Sequence, residues 1–236
     1  MDGERSRIYL TDLQGNSRYV TLTRDGKDFA GHAGGIAVSH GTVYVASGKK
    51  IYTIPLSSLL DSENGEGVDI GSGTKVNNSA SFVYTDEEYL YVGEFHDGGK
   101  YVTEHIYETP EGENHAIVSR YSLSDLSAPD RIYSVRDKVQ GICFTPDGRI
   151  VMSTSYGIAD TVYYVYNTGD AYYSGHTLDG APVYFMGELQ NEIKAPAMGE
   201  DLDYFNGMVI SLSESASDKY KFGKIFFANK IFGLKI

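Results

Sequence analysis

Glu94, Glu200, Asp201 and Glu214 fall at matching places in a repeated pattern of this chain, and Asn78 stands at a related one. Carboxylates and an amide carbonyl are hard oxygen donors, the ligand type that Ca²⁺ takes, so calcium is the cofactor this set suggests. His32 precedes Gly34 and Gly35, where a ligand can approach the backbone closely, and its imidazole would serve there as a general base. Gln140, Ser153, Ser155 and Tyr156 add an amide, two hydroxyls and a phenol at further equivalent places, the groups of a ligand-binding mouth. The plainer use of the same residues is to hydrogen-bond strand ends and buried water, and for His32 to cap a tight turn.

Other chemistries find little support. Ser153-Thr154-Ser155 has no G-x-S-x-G elbow around it, and the chain has no glycine-rich phosphate loop, H-E-x-x-H or EF-hand loop. Cys143 is the only cysteine, so an intrachain disulfide or a cysteine metal cage cannot form. Its neighbours Ile142 and Phe144 make it a buried thiol. A net charge of −12 and a pI near 4.9 leave no basic stripe for nucleic acid and disfavour an anionic membrane surface. No apolar stretch approaches the roughly 18 residues that would span a bilayer, and the first six residues are too polar for a signal peptide.

The elements that must position these residues form a repeat. A small or polar residue leads into an apolar run, a turn, and a second run ending in a hydroxyl or carboxylate. Residues 35–38 lead to 43–47, 81–84 to 90–94, 141–144 to 150–154, and 201–204 to 209–213; the starts lie 46, 60 and 60 residues apart. A third run follows each pair, at 50–56, 116–123, 161–166 and 230–236, and a fifth copy of it at 7–13 has no pair before it. Fourth strands are expected at 18–22, 131–135 and 183–187, with a weaker one at 68–70. Twenty Tyr, ten Phe and 27 Gly fit strands joined by many turns. A two-strand unit at this period marks an all-β propeller, here one domain over residues 1–236 with five blades, the first lacking its inner half. The alternative is a four-bladed ring closed by the N-terminal strands. An open blade edge would invite a second chain, a homo-oligomer.

Four stretches interrupt the repeat. Residues 61–76, rich in Gly, Ser and acids, are expected to form a mobile loop. Residues 96–115 should carry a short hairpin of 100–103 with 105–107, and 167–181 and 214–222 are further insertions. Loops of this length inside a compact domain commonly bind ligands.

The segments His32-Ala33-Gly34-Gly35-Ile36-Ala37, Ala80-Ser81-Phe82, Val92-Gly93-Glu94-Phe95, Val139 to Thr145 and Ser153 to Tyr156 resemble those of a group of uncharacterised, often secreted bacterial five-bladed propellers. Residues 214–220 fit the same pattern, and the resemblance extends loosely to gluconolactonase-like and NHL-like propellers. It implies the propeller fold and an extracellular or cell-surface location. In the lactonases, carboxylates and asparagine hold a channel metal. The polar mouth points to a binding module that takes a small molecule or protein at one end of the channel. The alternative is a metal-assisted hydrolase or lyase acting on a small sugar-derived or lactone substrate.

Overall fold

Continuous apolar runs bounded by turns form strands buried on both faces, one toward each neighbouring blade. The computed structural model describes residues 5–217, 228 and 230–236. The first blade holds only outer strands: β1 (Arg7–Thr11) pairs antiparallel with β2 (Ser17–Arg24), and the short β3 (Lys27–Asp28) turns back on β2. The second blade runs β4 (Gly35–Ser39), β5 (Thr42–Ser47), β6 (Lys50–Pro55), helix α1 (Leu56–Asp61), β7 (Gly67–Asp69) and β8 (Thr74–Lys75). In the third, β9 (Phe82–Thr85) and β10 (Tyr89–Gly93) precede a hairpin of β11 (Tyr107–Thr109) and β12 (Gly112–Asn114), then β13 (Ala116–Ser122) and β14 (Arg131–Val135). The fourth contains β15 (Val139–Phe144), β16 (Arg149–Thr154), β17 (Thr161–Asn167), β18 (Tyr172–Leu178), β19 (Ala181–Phe185) and β20 (Leu189–Ala195). The fifth contains β21 (Gly199–Phe205), β22 (Met208–Ser213) and β23 (Phe232–Leu234). Five blades thus form a β-propeller whose first blade has no inner pair among the described residues.

Two expected outer strands belong elsewhere. Residues 183–187 do not complete the fourth blade: β19 crosses to the third and joins β14 in parallel, Ile132 opposite Val183, while β20 fills the vacated position beside β17. Likewise β7 leaves the second blade and joins β2 in parallel, Thr21 opposite Gly67, and β8 becomes the second blade's outer strand. Residues 61–76 are therefore not a mobile loop but a strand-bearing crossover, and 167–181 contains β18. In both blades a helical turn follows the third strand, at Leu56–Asp61 and Thr168–Asp170. The crossover strand then buries apolar residues against the preceding blade, Val68 in one case and Val183 with Phe185 in the other. Blades one and two thus repeat the plan of blades three and four. The four-bladed alternative does not form: β1 pairs with β2 and β23 with β22, with no ladder between β1 and β23 among the described residues.

The innermost strands β4, β9, β15 and β21 pack at backbone distance because glycines stand at the contacts. A Cβ on Gly35 would lie 2.7 Å from the Val83 nitrogen, and one on Gly34 would collide with the Ser81 carbonyl oxygen. A Cβ on Gly141 would meet Asp201 Cα at 2.6 Å. Between β21 and β4, where the first blade has no inner strand, the Asp201 carboxylate lies near enough to the backbone N–H of Ile36 to oppose the rise that burial gives its pKa. The face of β4 on that side stays open, with Ile36 44% and Val38 51% exposed. Elsewhere the blades bury continuous apolar clusters, including Phe82, Ile142, Cys143 and Tyr163 at 0% exposure. Cys143 is the buried free thiol the sequence implies. Gly141→Ala should lower stability by roughly 1–3 kcal/mol, because backbone cannot yield as a side chain does. Gly169→Ala, with open space at its Cβ, should leave it unchanged. Equal denaturant midpoints for the two variants would refute backbone contact at Gly141.

Candidate functional site

The start of each inner strand and the end of its partner share one mouth of the channel, as the ladders Gly35↔Ala46, Phe82↔Gly93, Val139↔Thr154 and Gly199↔Ser213 require. Two of these ladders slip at the mouth. The register shifts between Val139 and Gly141, at Gln140, and between Gly199 and Leu202, at Glu200 and Asp201. A bulge re-aims the side chains it carries, and here it does so at positions the repeat marks as polar.

In the third blade the residues of interest are buried. Asn78, 1% exposed, donates from Nδ2 to the Val92 carbonyl at 2.9 Å and leaves Oδ1 without a donor. Glu94 Oε1 accepts the Ser79 N–H at 3.3 Å. His105 Nε2 reaches Glu94 Oε2 at 3.3 Å, near enough to pair charges but off the line of a hydrogen bond, so that oxygen has no hydrogen-bond donor. This pairing with Glu94 pushes the His105 pKa up, against the opposing effect of burial. His105 belongs to the 96–115 insertion, which folds differently from expectation: Asp97 accepts the N–H groups of Gly99 and Tyr101 in a tight turn, and the hairpin is β11 with β12. Beneath it the rings of His96 and His115 stack with centroids 4.7 Å apart, and His115 Nδ1 lies 3.0 Å from Asp137 Oδ2.

Beside the insertion, between the third and fourth blades, lies a cavity of about 440 Å³. Carboxylates of Asp97, Glu111, Glu113, Asp137 and Asp160 line it against the cations of Arg136 and Lys138. Glu111 is committed to Arg136, whose Nη2 lies 2.5 Å from Oε2, and Arg136 stacks on Tyr164 at 4.3 Å. Ser155 and Tyr156 both line this cavity. Ser155 is buried and donates its N–H to the Lys138 carbonyl at 3.1 Å, whereas Tyr156 is exposed against Phe95 at 6.0 Å. Ser153 is fully buried in β16, its hydroxyl without a partner.

The carboxylates divide. Glu200 faces Glu214; burial first, then the neighbouring Glu214 charge, raises the Glu200 pKa to about 8. Glu214 opens a helical turn, its N–H on the Met198 carbonyl at 3.1 Å, and the residues of its insertion from 218 to 222 lie outside the described ones. Asp201, raised well above the usual carboxylate range by burial, turns to Ile36. Glu94 stands apart with His105. His32 is exposed just before β4, with no hydrogen bond among the described residues. Among the described residues, the three-residue group with ligand atoms within 4.8 Å of one another is His96, His115 and Asp137. In the sequence His96 and His115 bound the 96–115 insertion, with nothing to join them. Their meeting depends on how the insertion folds back and on Asp137 arriving from the next connection.

No family model and no curated protein matches this chain. Among solved structures, it is similar to the computationally designed Ika4 protein (10% identity, TM-score 0.39, 82% of this chain and 91% of that one). It is also similar to the PQQ-bound aldose sugar dehydrogenase of Streptomyces coelicolor (14% identity, TM-score 0.45, 89% of this chain and 68% of that one).

Glu200 sets a pH dependence. Its folded pKa of about 8 exceeds the ordinary 4.5, so the folded state binds more protons and this group costs stability progressively as pH rises from about 4.5 to 8. Glu200→Gln removes that cost. The variant's melting temperature relative to the parent should rise between pH ~5 and pH ~8. An offset that is the same at both pH values would contradict the shared proton.

Proposed function

We propose that the protein is a binding module that uses this mouth, and that its ligand is a small molecule rich in hydrogen-bond donors, such as a polyol or an amine. The observation that carries this reading is the cavity beside the 96–115 insertion. Its volume of about 440 Å³ falls in the range of small-molecule sites, and its acidic residues outnumber its basic ones. Carboxylates accept hydrogen bonds and attract cations, and the exposed ring of Tyr156 offers a face to an apolar or cationic group. Cation-bearing Lys138 and Arg136 hold ring contacts with Tyr156 and Tyr164, which keeps the wall in place while the remaining acids face the opening.

A second reading has one observation of its own. Glu200, holding a proton near neutral pH beside Glu214, has the acidity of a general acid in a hydrolase or lyase acting on a small sugar-derived or lactone substrate.

Amide NMR of the protein titrated with polyols, amino sugars and primary amines separates these readings. Binding in the cavity moves the resonances of Lys138, Ser155 and Tyr156, and Asp97→Asn together with Tyr156→Ala weakens it at least tenfold. If every probe leaves those resonances in place, the cavity reading fails. Shifts confined to Glu200 and Glu214 would favour the second.

A further inference from the structure

His96, His115 and Asp137 come from three segments that the fold ties together. His96 follows β10, His115 immediately precedes β13, and Asp137 lies in the turn between β14 and β15. The Lys138 N–H donates to the His96 carbonyl at 2.8 Å, and the His115 N–H donates to Asp137 Oδ1 at 3.0 Å. Thr103 completes the frame: its N–H donates to His96 Nδ1 at 3.2 Å and its hydroxyl to the His115 carbonyl. One ligand atom of each of the three residues lies within 4.8 Å of the others, and His96 is only 5% exposed. Glu113 Oε2 lies 3.8 Å from His115 Nε2, the ring nitrogen turned away from Asp137.

We infer that these residues bind a divalent transition-metal ion of the Zn²⁺ class, a site separate from the oxygen-donor set of Glu94, Glu200, Asp201 and Glu214. Two imidazoles with a carboxylate are the donors that Zn²⁺, Ni²⁺ and Cu²⁺ take in preference to Ca²⁺ or Mg²⁺. Metal bonds of about 2.0–2.1 Å in a tetrahedral shell put neighbouring ligand atoms roughly 3.3 Å apart. His115 Nδ1 and Asp137 Oδ2, at 3.0 Å, already stand near that spacing. The ion takes the place of the proton that otherwise lies between them, and the His96 ring turns from its stacked position to supply the third bond. Because the three backbone segments are already joined by hydrogen bonds, binding demands side-chain rotation and little chain movement. The cluster does not depend on the neighbouring cavity being a ligand site.

The test uses the full chain, stripped with chelator and titrated with Zn²⁺. Expected are a saturable one-to-one calorimetric signal, a rise in melting temperature that Ca²⁺ at the same concentration does not give, and at least a tenfold loss of affinity in His115→Gln and in Asp137→Asn. Gly169→Ala, outside the cluster and with open space at its Cβ, should keep the parent affinity. Long-range proton–nitrogen spectra of the unmodified protein require no variant to fold: the ring nitrogens of His96 and His115 should shift on adding Zn²⁺ while those of His105 and His176 stay. Absence of saturable Zn²⁺ binding, equal stabilisation by Ca²⁺, unchanged affinity in both cluster variants, or ring shifts that spare His96 and His115 would each overturn the inference.

Discussion

The inner ring depends on close backbone contact at glycines and, at the gap left by the first blade, on the Asp201 carboxylate. Where a complete propeller would place the first blade's inner strands, Asp201 of the fifth blade lies near the backbone N–H of Ile36 in the second. The innermost strand of a blade is a sheet edge whose outward N–H groups have no ladder partner, and a buried one without an acceptor costs about as much as a lost hydrogen bond. Asp201 brings a carboxylate near one such amide, that of Ile36. It also accepts the Leu202 N–H at 3.0 Å, and these two contacts work against the burial that raises its pKa. Gly141 makes the geometry available, since a Cβ there would collide with Asp201 itself. On the other side of Ile36, Gly34 and Gly35 admit β9. Four strands are thereby drawn around the channel by contacts that run from Gly141 to Asp201 to Ile36 to Phe82.

The mouth inherits its shape from this closure. The slip in β21 falls at Glu200 and Asp201, with Glu200 beside Glu214, and the slip in β15 falls at Gln140. On the third blade, where β9 and β10 run without a slip, the departure is a long insertion after Glu94. It stacks His96 on His115 and walls the acidic cavity. In the ladders of the inner strands, the slips thus fall at the mouth, while the crossover strands β7 and β19 join the outer edges of the preceding blades.

The inner strands were legible because their signal is local: apolar runs, separated by turns, recur within each repeat. The polar mouth was legible for the same reason, since equivalent positions in a repeat arrive at equivalent places. Exchange of outer strands between blades was not. Val183 to Phe185 has the pattern of a strand for either blade, and only the fold of the whole sheet decides that it lies beside Ile132. Bulges at Gln140 and Glu200 carry no periodic signal, because one additional residue changes facing without changing composition. His115 and Asp137 are separated by two strands, so their pairing is a product of sheet geometry. Asp201 was read as a metal ligand by its type and position; in the fold its carboxylate accepts the N–H of Leu202 on its own strand.

Hydrogen exchange at the Ile36 amide measures the ring-closing contact directly. If Asp201 closes the ring, this amide is protected in the parent protein and exchanges rapidly in Asp201→Ala, while amides deep in β16 and β17 change far less. Protection at Ile36 that survives the loss of the Asp201 carboxylate would contradict the account and require another acceptor for that N–H.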